Sequence, residues 1–351
     1  MTEASPRPTA VVAGVQGAVG ALALGTLLAS VRARNPAPPS ALFVALAAGC
    51  GLFRSLQPTA PRLAAGVASV AFFRLITDAH KHIVLSYALV ESALALYALG
   101  PASALVEHAT SIAVTSRLMY IYLFRCEWIL PSQLKMLDYQ SCLPAAVLAA
   151  TRHEIRTGTG SRCACFHPDK SCGTFLRDES AKHFASGAKI FFPIHLVGAF
   201  MAWHKQALDV PKQLADYVRS ILFLSGNYIF PYMFSCLVPI ADHHIAITLA
   251  SLTPYLAQFF EPPKRRFTIR KAVASYSLIT VFYQLKEYGL LSRLSRAQVV
   301  SAATLVYATC MVGLLERPER QNRWLMRGLY GYDVRKPKGD ATAKSIPAVE
   351  S

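Results

Sequence analysis

The chain has 351 residues, of which 53% are hydrophobic and 16% are charged, and its formal net charge is +16. Soluble domains carry about 25% charged residues, so the composition argues against a soluble globular enzyme and indicates a membrane protein. The positive charge does not predict a nucleic-acid partner. Lys and Arg lie mostly in short connections between apolar runs, where orientation signals and contacts with anionic lipid occur.

The first predicted element is an apolar run at residues 10–31 that contains no charged side chain. It is long enough to cross a hydrocarbon core about 30 Å thick. It is also too long for a signal peptide and lacks a preceding basic cluster, so we expect a retained membrane helix. Two pairs of small residues four apart, Gly14 with Ala18 and Ala21 with Gly25, would let another helix approach closely. The expected partners of the chain are membrane lipids and other membrane helices, including those of a second copy.

Four further apolar segments follow, at residues 41–53, 63–73, 83–99 and 105–124. Glu91, Glu107 and Arg117 lie within the last two of these segments. A charge at membrane depth is costly and usually faces a bundle interior with a partner. We therefore expect Arg74 or Arg117 to pair with the carboxylates. The alternative is that helix tilt brings each carboxylate to the level of the lipid headgroups.

A polar, cysteine-rich connection at residues 131–186 precedes a second group of apolar segments, at residues 187–203, 220–241, 245–260, 272–285 and 298–315. The pattern predicts an all-α, polytopic membrane protein with about eight to ten membrane segments. The predicted regions begin with an N-terminal membrane helix (residues 1–35), a first membrane region (36–130) and the connection (131–186). A second membrane region (187–318) and a basic tail (319–351) follow.

The basic residues of the second half predict its orientation. Lys and Arg cluster at residues 264–271 and again after residue 317, and two predicted crossings separate the clusters. The positive-inside rule then places both clusters on the cytosolic face.

Residues 63–99 and 245–285 each consist of an apolar segment, a basic break and a second apolar segment. Two related halves are common in transporters. The alternative is a chance likeness between two helical hairpins with basic turns, and the sequence leaves both open.

Four potential zinc ligands lie close together in the connection: Cys163, Cys165, His167 and Cys172. Zinc accepts three cysteines and a histidine in a tetrahedral site, but the usual motifs contain a Cys-x₂₋₄-Cys pair, and Cys-x-Cys is a cramped spacing. We therefore expect a compact structural loop, with free thiols or one disulfide, and without zinc or another cofactor. Pro168 restricts its path, and burial of Phe175 and Phe184 would anchor it.

The same segment resembles the cysteine-rich N-terminal region of the transmembrane protein 135 family. The motif comprises a Cys, a His-Pro pair, a Ser-Cys pair, phenylalanines and a Lys-Ile-aromatic-x-Pro entry into a helix. Here these are Cys165, His167, Pro168, Ser171, Cys172, Phe175, Phe184, Lys189, Ile190, Phe191 and Pro193. The likeness continues to residue 292 and includes Arg219, Ser220, Glu261, Arg265 and Arg266. Residues 63–100 look more like the later repeat of that family, so the order of the parts differs here.

The resemblance implies a peroxisomal or mitochondrial membrane and a non-enzymatic role in lipid or cholesterol transport and organelle dynamics. The family is distantly similar to the channel subunits of mitochondrial protein translocases, so a translocase-like channel subunit is the alternative. A membrane-embedded lipid-modifying enzyme is the second alternative. No catalytic residue supports it: Asp242-His243-His244 resembles the palmitoyltransferase motif, but Ile245 stands in place of its nucleophilic cysteine.

Overall fold

The computed structural model describes residues 10–98, 103–157, 163, 166–238, 240, 242–316, 318, 321, 326, 329 and 330. The predicted all-α class is confirmed for these residues, which form helices and connections without a strand. The first five helices are α1 (Ala10–Ala33), α2 (Ala41–Leu56), α3 (Pro61–Leu75), α4 (Asp78–Tyr97) and α5 (Ala104–Phe124). They are followed by α6 (Pro131–Gln140), α7 (Ala145–Thr157), α8 (Cys172–His204), α9 (Val210–Leu237), α10 (His243–Ala250), α11 (Pro254–Ala257), α12 (Pro263–Glu287) and α13 (Arg296–Leu315).

Four of these helices are long and apolar enough to cross a membrane: α1, α8, α9 and α13. Helix α2 is apolar but shorter. The other predicted segments form helices that are shorter or more polar, so the structure supports fewer clear spans than the eight to ten that the sequence predicts. Residues 245–260 differ most, because Asp242 caps the short α10 and Pro254 begins a separate turn. The two hairpins considered as related halves therefore differ in secondary structure.

The chain divides into two compact units, residues 1–100 with 294–351 and residues 101–293. The predicted regions follow the order of the sequence, whereas the first unit combines both ends of the chain. In it, α1 packs on α2, α2 on α3, and α13 on α3 and α4. The close approach expected of the small residues in α1 is confirmed: a Cβ atom added to Gly14 would lie 2.9 Å from the Gly51 carbonyl oxygen.

In the second unit, α5 packs against α11 and α12, while α8 and α9 form an antiparallel hairpin joined by residues 205–209. The ring of His183 in α8 stacks on Tyr228 of α9, with centroids 5.1 Å apart. Closer to the connection, the Tyr217 hydroxyl donates to the Ala188 carbonyl at 3.0 Å. These contacts establish which parts of the two helices face each other.

The apolar stretches of the hairpin are staggered. The apolar stretch of α9, residues 220–237, lies beside the first and more polar half of α8. The apolar stretch of α8, residues 187–204, lies beside the first turns of α9. Each helix therefore presents a stretch rich in polar residues to the apolar stretch of its neighbour.

Helix α8 begins earlier than predicted. The Ser171 side chain caps it by accepting from the Thr174 amide at 3.2 Å, and the helix continues from Cys172 for 33 residues with Pro193 inside it. The predicted boundary between residues 186 and 187 falls in its middle. Lys189 and Pro193, expected at the entry of a helix, both lie well inside α8.

Candidate functional site: a cluster of cysteines and a histidine

The cluster lies at the end of the α8–α9 hairpin that is opposite the 205–209 connection. Cys172 is the first residue of α8, and Cys236 lies one residue before the end of α9. Cys163 and His167 precede α8, and the His167 amide donates to the Cys163 carbonyl at 2.8 Å. The segment before α8, the first residue of α8 and the end of α9 thus contribute side chains to the same point.

The four potential ligand atoms of Cys163, His167, Cys172 and Cys236 lie within 4.8 Å of one another. The sulfur atoms of Cys163 and Cys172 are 3.6 Å apart, and Cys236 Sγ is 3.5 Å from His167 Nε2. A disulfide requires about 2.05 Å between its sulfur atoms, so the Cys163–Cys172 distance is non-covalent. The arrangement can bind a cation that prefers sulfur and nitrogen ligands.

The orientation of His167 follows from its backbone contact. Its Nδ1 atom lies 2.9 Å from the carbonyl oxygen of Lys170. A carbonyl only accepts hydrogen bonds, so Nδ1 carries the proton in this contact. In the neutral ring, Nε2 then keeps its lone pair and directs it towards Cys236. This is the tautomer of a histidine that binds a metal through Nε2, with Nδ1 held by an acceptor.

Aromatic rings surround the histidine and limit its contact with water. His167 is buried, and its ring centroid is 4.7 Å from that of Phe175. Phe166 and Tyr232 complete this aromatic group, and the Tyr232 hydroxyl donates to the Ser141 carbonyl at 3.2 Å. Because the hydroxyl has a partner, the ring can be buried without an unpaired polar group. The cluster is therefore held against a well-packed core.

The structure brings together three of the four ligands considered from the sequence, while Cys165 lies outside the described residues. Sequence reasoning missed Cys236, because an isolated cysteine near the end of an apolar run resembles a small buried hydrophobic residue. Of the two expected anchors, Phe175 is buried, but Phe184 is 40% exposed. Phe184 therefore does not serve as a buried anchor, since it lies on the outer face of α8.

Two of the intramembrane charges predicted from the sequence, Glu107 and Arg117, have partners other than those expected. Glu107 Oε2 lies 3.8 Å from Arg270 Nη1, so the expected pairing of Glu107 with Arg74 or Arg117 is corrected. Arg117 donates to the Gln284 side chain at 2.7 Å. Both contacts join α5 to α12, and the partner residues lie too far along the chain for sequence spacing to reveal them.

A buried glutamine extends the contacts of Arg270. Gln258 is almost fully buried, and its side-chain oxygen accepts from Ser111 at 2.8 Å and from Arg270 Nε at 3.1 Å. Its amide nitrogen donates to Thr115 Oγ1 at 3.0 Å. The network satisfies its polar atoms while joining α5 to the second half of the unit.

Three residues that carry the family resemblance also meet in space. Arg265 Nη1 donates to Ser220 Oγ at 2.8 Å and lies 3.3 Å from Glu261 Oε2. The Glu261 side chain is almost fully buried, so removal of Arg265 would leave a buried carboxylate without that cation. The contacts indicate a structural role for these residues.

Comparison with protein-family models, with curated proteins and with solved structures finds no match for the chain.

Proposed function

We propose that the protein is a multi-pass protein of a peroxisomal or mitochondrial membrane that acts without catalysis in lipid transport and organelle dynamics. The observation that carries the membrane part is the exposed apolar half of α8. Phe192, Val197, Phe200 and Trp203 are 57–65% exposed within a helix long enough to cross a bilayer. Contact with lipid removes such a surface from water.

The same reasoning extends to other helices. Helix α1 exposes Val11, Val15, Leu27 and Val31, and it is the most apolar of the four candidate spans. Helix α13 adds a further span. The shorter or more polar helices α2, α3, α4, α5 and α12 would bring the number of membrane segments to nine, within the predicted eight to ten, if tilt or local thinning of the bilayer accommodates them.

The role in lipid handling rests on the resemblance to the transmembrane protein 135 family. The agreement includes Arg265 and the two residues that it contacts in the second unit, Ser220 and Glu261. A cavity in this unit, lined by Tyr122, Phe166 and Tyr232 among others, is far smaller than a lipid chain. We therefore propose that lipid contacts the outer helical surfaces of the unit.

The location and the lipid role can be tested on the full chain. A tagged copy should co-purify with peroxisomes or mitochondria and stay in the membrane pellet after alkaline extraction. Lipid analysis after extraction in polymer nanodiscs should show at least a several-fold enrichment of one lipid class over the bulk membrane. Exclusive residence in the plasma membrane, or association with translocase subunits without lipid enrichment, would contradict this proposal.

The orientation has its own test. Cysteine residues introduced near residue 268 and in the tail after residue 317 should be labelled from the cytosolic side in selectively permeabilised cells. Labelling of the two positions from opposite sides would exclude two membrane crossings between them.

A further inference from the structure

We propose that Cys163, His167, Cys172 and Cys236 form a structural zinc site that closes the open end of the α8–α9 hairpin. This site goes beyond the proposed function and does not depend on it. Its basis is the convergence of four ligand atoms from separate parts of the chain.

The distances match a tetrahedral zinc site. Zn–S bonds of about 2.3 Å and a Zn–N bond of about 2.0–2.1 Å give tetrahedral edges of roughly 3.8 Å between sulfurs and roughly 3.6 Å between sulfur and nitrogen. The Cys163–Cys172 and Cys236–His167 distances are 3.6 Å and 3.5 Å. Small movements of side chains would suffice to bring all four atoms to bonding distance of one ion.

The spacing argument against zinc applied to a different ligand set. It relied on the pair Cys163 and Cys165, which are separated by a single residue. The set found in the structure uses Cys163, His167 and Cys172, with three and four residues between successive ligands. Such separations resemble those within known zinc motifs. Cys236 supplies the fourth ligand from α9, so the expectation of a loop without zinc is replaced by this proposal.

The ligand chemistry also selects zinc. Sulfur ligands favour zinc, Cu(I) and iron–sulfur clusters, and a tetrahedral set of sulfur and imidazole is typical of zinc. Binding replaces the thiol protons of Cys163, Cys172 and Cys236, which pass to solvent as three S–Zn bonds form. His167 binds through the Nε2 lone pair without losing a proton. Four protein ligands leave no position for water or substrate, which is typical of a structural site.

The position of the site defines its role. The 205–209 connection already joins α8 to α9 at one end of the hairpin, whereas the end that contains Cys172 and Cys236 has no direct chain connection. Zinc would join the two helices there and would also hold the loop that carries His167. The ion would thereby stabilise the packing of Phe175 against α9.

Metal analysis of the full chain, purified in detergent without chelators, tests the site. We expect about one zinc ion per wild-type chain, as for one closed site. Cys236→Ser and Cys163→Ser should each reduce the zinc content at least five-fold. Cys126→Ser is the matched control, because Cys126 is another half-buried cysteine of the same unit; it should retain the wild-type content.

A second pair of variants separates metal binding from a failure to fold. His167→Cys preserves four ligands and should retain zinc, with X-ray absorption changing from three sulfurs and one nitrogen to four sulfurs. His167→Ala should lower the zinc affinity at least ten-fold in a chelator competition assay. Wild-type protein with less than about one fifth of an ion per chain, even after incubation with zinc, would overturn the proposal. A Cys163–Cys172 disulfide in the unreduced protein, or equal zinc loss in Cys126→Ser, would also overturn it.

Discussion

The two halves of α8 differ in a way that reverses the usual relation between apolarity and burial. Residues 172–186 include Arg177, Asp178, Glu179 and Lys182, yet this half packs Phe175 and His183 into the protein core. Residues 187–204 contain few charges, yet Phe200 and Trp203 are more than half exposed. In α8 the apolar half is the exposed one, and burial within the protein depends on which helix lies opposite.

The stagger of the hairpin causes this difference. The first half of α8 lies beside the apolar stretch of α9, where Tyr228 and Tyr232 provide rings that can pack against it. The second half lies beside the more polar first turns of α9, and most of its surface lacks a protein neighbour in the second unit.

The same substitution should have very different effects in the two halves. Phe175→Ala should lower the free energy of unfolding by about 3–5 kcal/mol, because Phe175 is 3% exposed and its removal leaves a cavity. Phe200→Ala, at a side chain that is 61% exposed, should change it by less than about 0.5 kcal/mol. Denaturant titrations in mixed micelles measure both values. Equal losses in the two variants would show that the halves do not differ in packing.

A charge introduced into the exposed half should oppose membrane insertion. Val197→Lys should disfavour insertion by about 2.5–3.5 kcal/mol if residue 197 lies near the middle of the bilayer. Ala181→Lys is the control, since Ala181 is exposed in the polar half of the same helix. A glycosylation acceptor placed in the 205–209 connection reports the insertion of each full-length variant in microsomes. Equal insertion of the two variants would refute lipid contact at residue 197.

Glycine substitutions should locate the point at which the close contact ends. A Cβ atom at Gly187 would lie 3.3 Å from Ile221 Cγ2, whereas a Cβ atom at Gly198 would meet no atom within 4 Å. Gly187→Leu should therefore cost about 1–3 kcal/mol through overpacking. Gly198→Leu should stabilise the helix by up to about 1 kcal/mol, because leucine has the higher helix propensity. Thermal unfolding in detergent distinguishes these outcomes, and destabilisation by both would place a protein contact at Gly198.

The smallest loss of stability is expected from substitutions at the N-terminal caps of α8 and α9. Ser171 accepts from the Thr174 amide at the start of α8, and Asp209 accepts from the Lys212 amide at the start of α9. Ser171→Ala and Asp209→Ala should each lower stability by about 1 kcal/mol, since each removes one capping bond. The same unfolding assay measures both. A much larger loss for Ser171→Ala would show that its cap also supports the neighbouring cluster.

Much of the helical pattern could be predicted from local sequence. The apolar run at residues 10–31 became α1 (Ala10–Ala33), and the run at 298–315 became α13 (Arg296–Leu315). The N-terminus of such a helix is also encoded locally, as in the capping box that Ser295 and Gln298 form at the start of α13. The start of α8 was missed because its first half lacks an apolar run, although Ser171 offers a local capping signal.

The candidate site was predictable only in part, because its ligands come from different distances along the chain. Cys163, His167 and Cys172 attract attention by their proximity in sequence. Cys236 joins them only because α8 and α9 pack in antiparallel orientation, which places the end of one helix beside the start of the other. No spacing rule connects a cysteine at the end of a long apolar run to a loop before the preceding helix.

The sequence by itself determined the helical class, the apolar stretches and several helix ends, because these depend on side-chain polarity and on hydrogen bonds between near neighbours. Tertiary structure alone decided the stagger of the α8–α9 hairpin, the pairing of Glu107 with Arg270 and the arrival of Cys236 at the cluster. Those features depend on how helix surfaces fit together over long separations in the chain. That fit is a property of packing, which no local pattern of residues encodes.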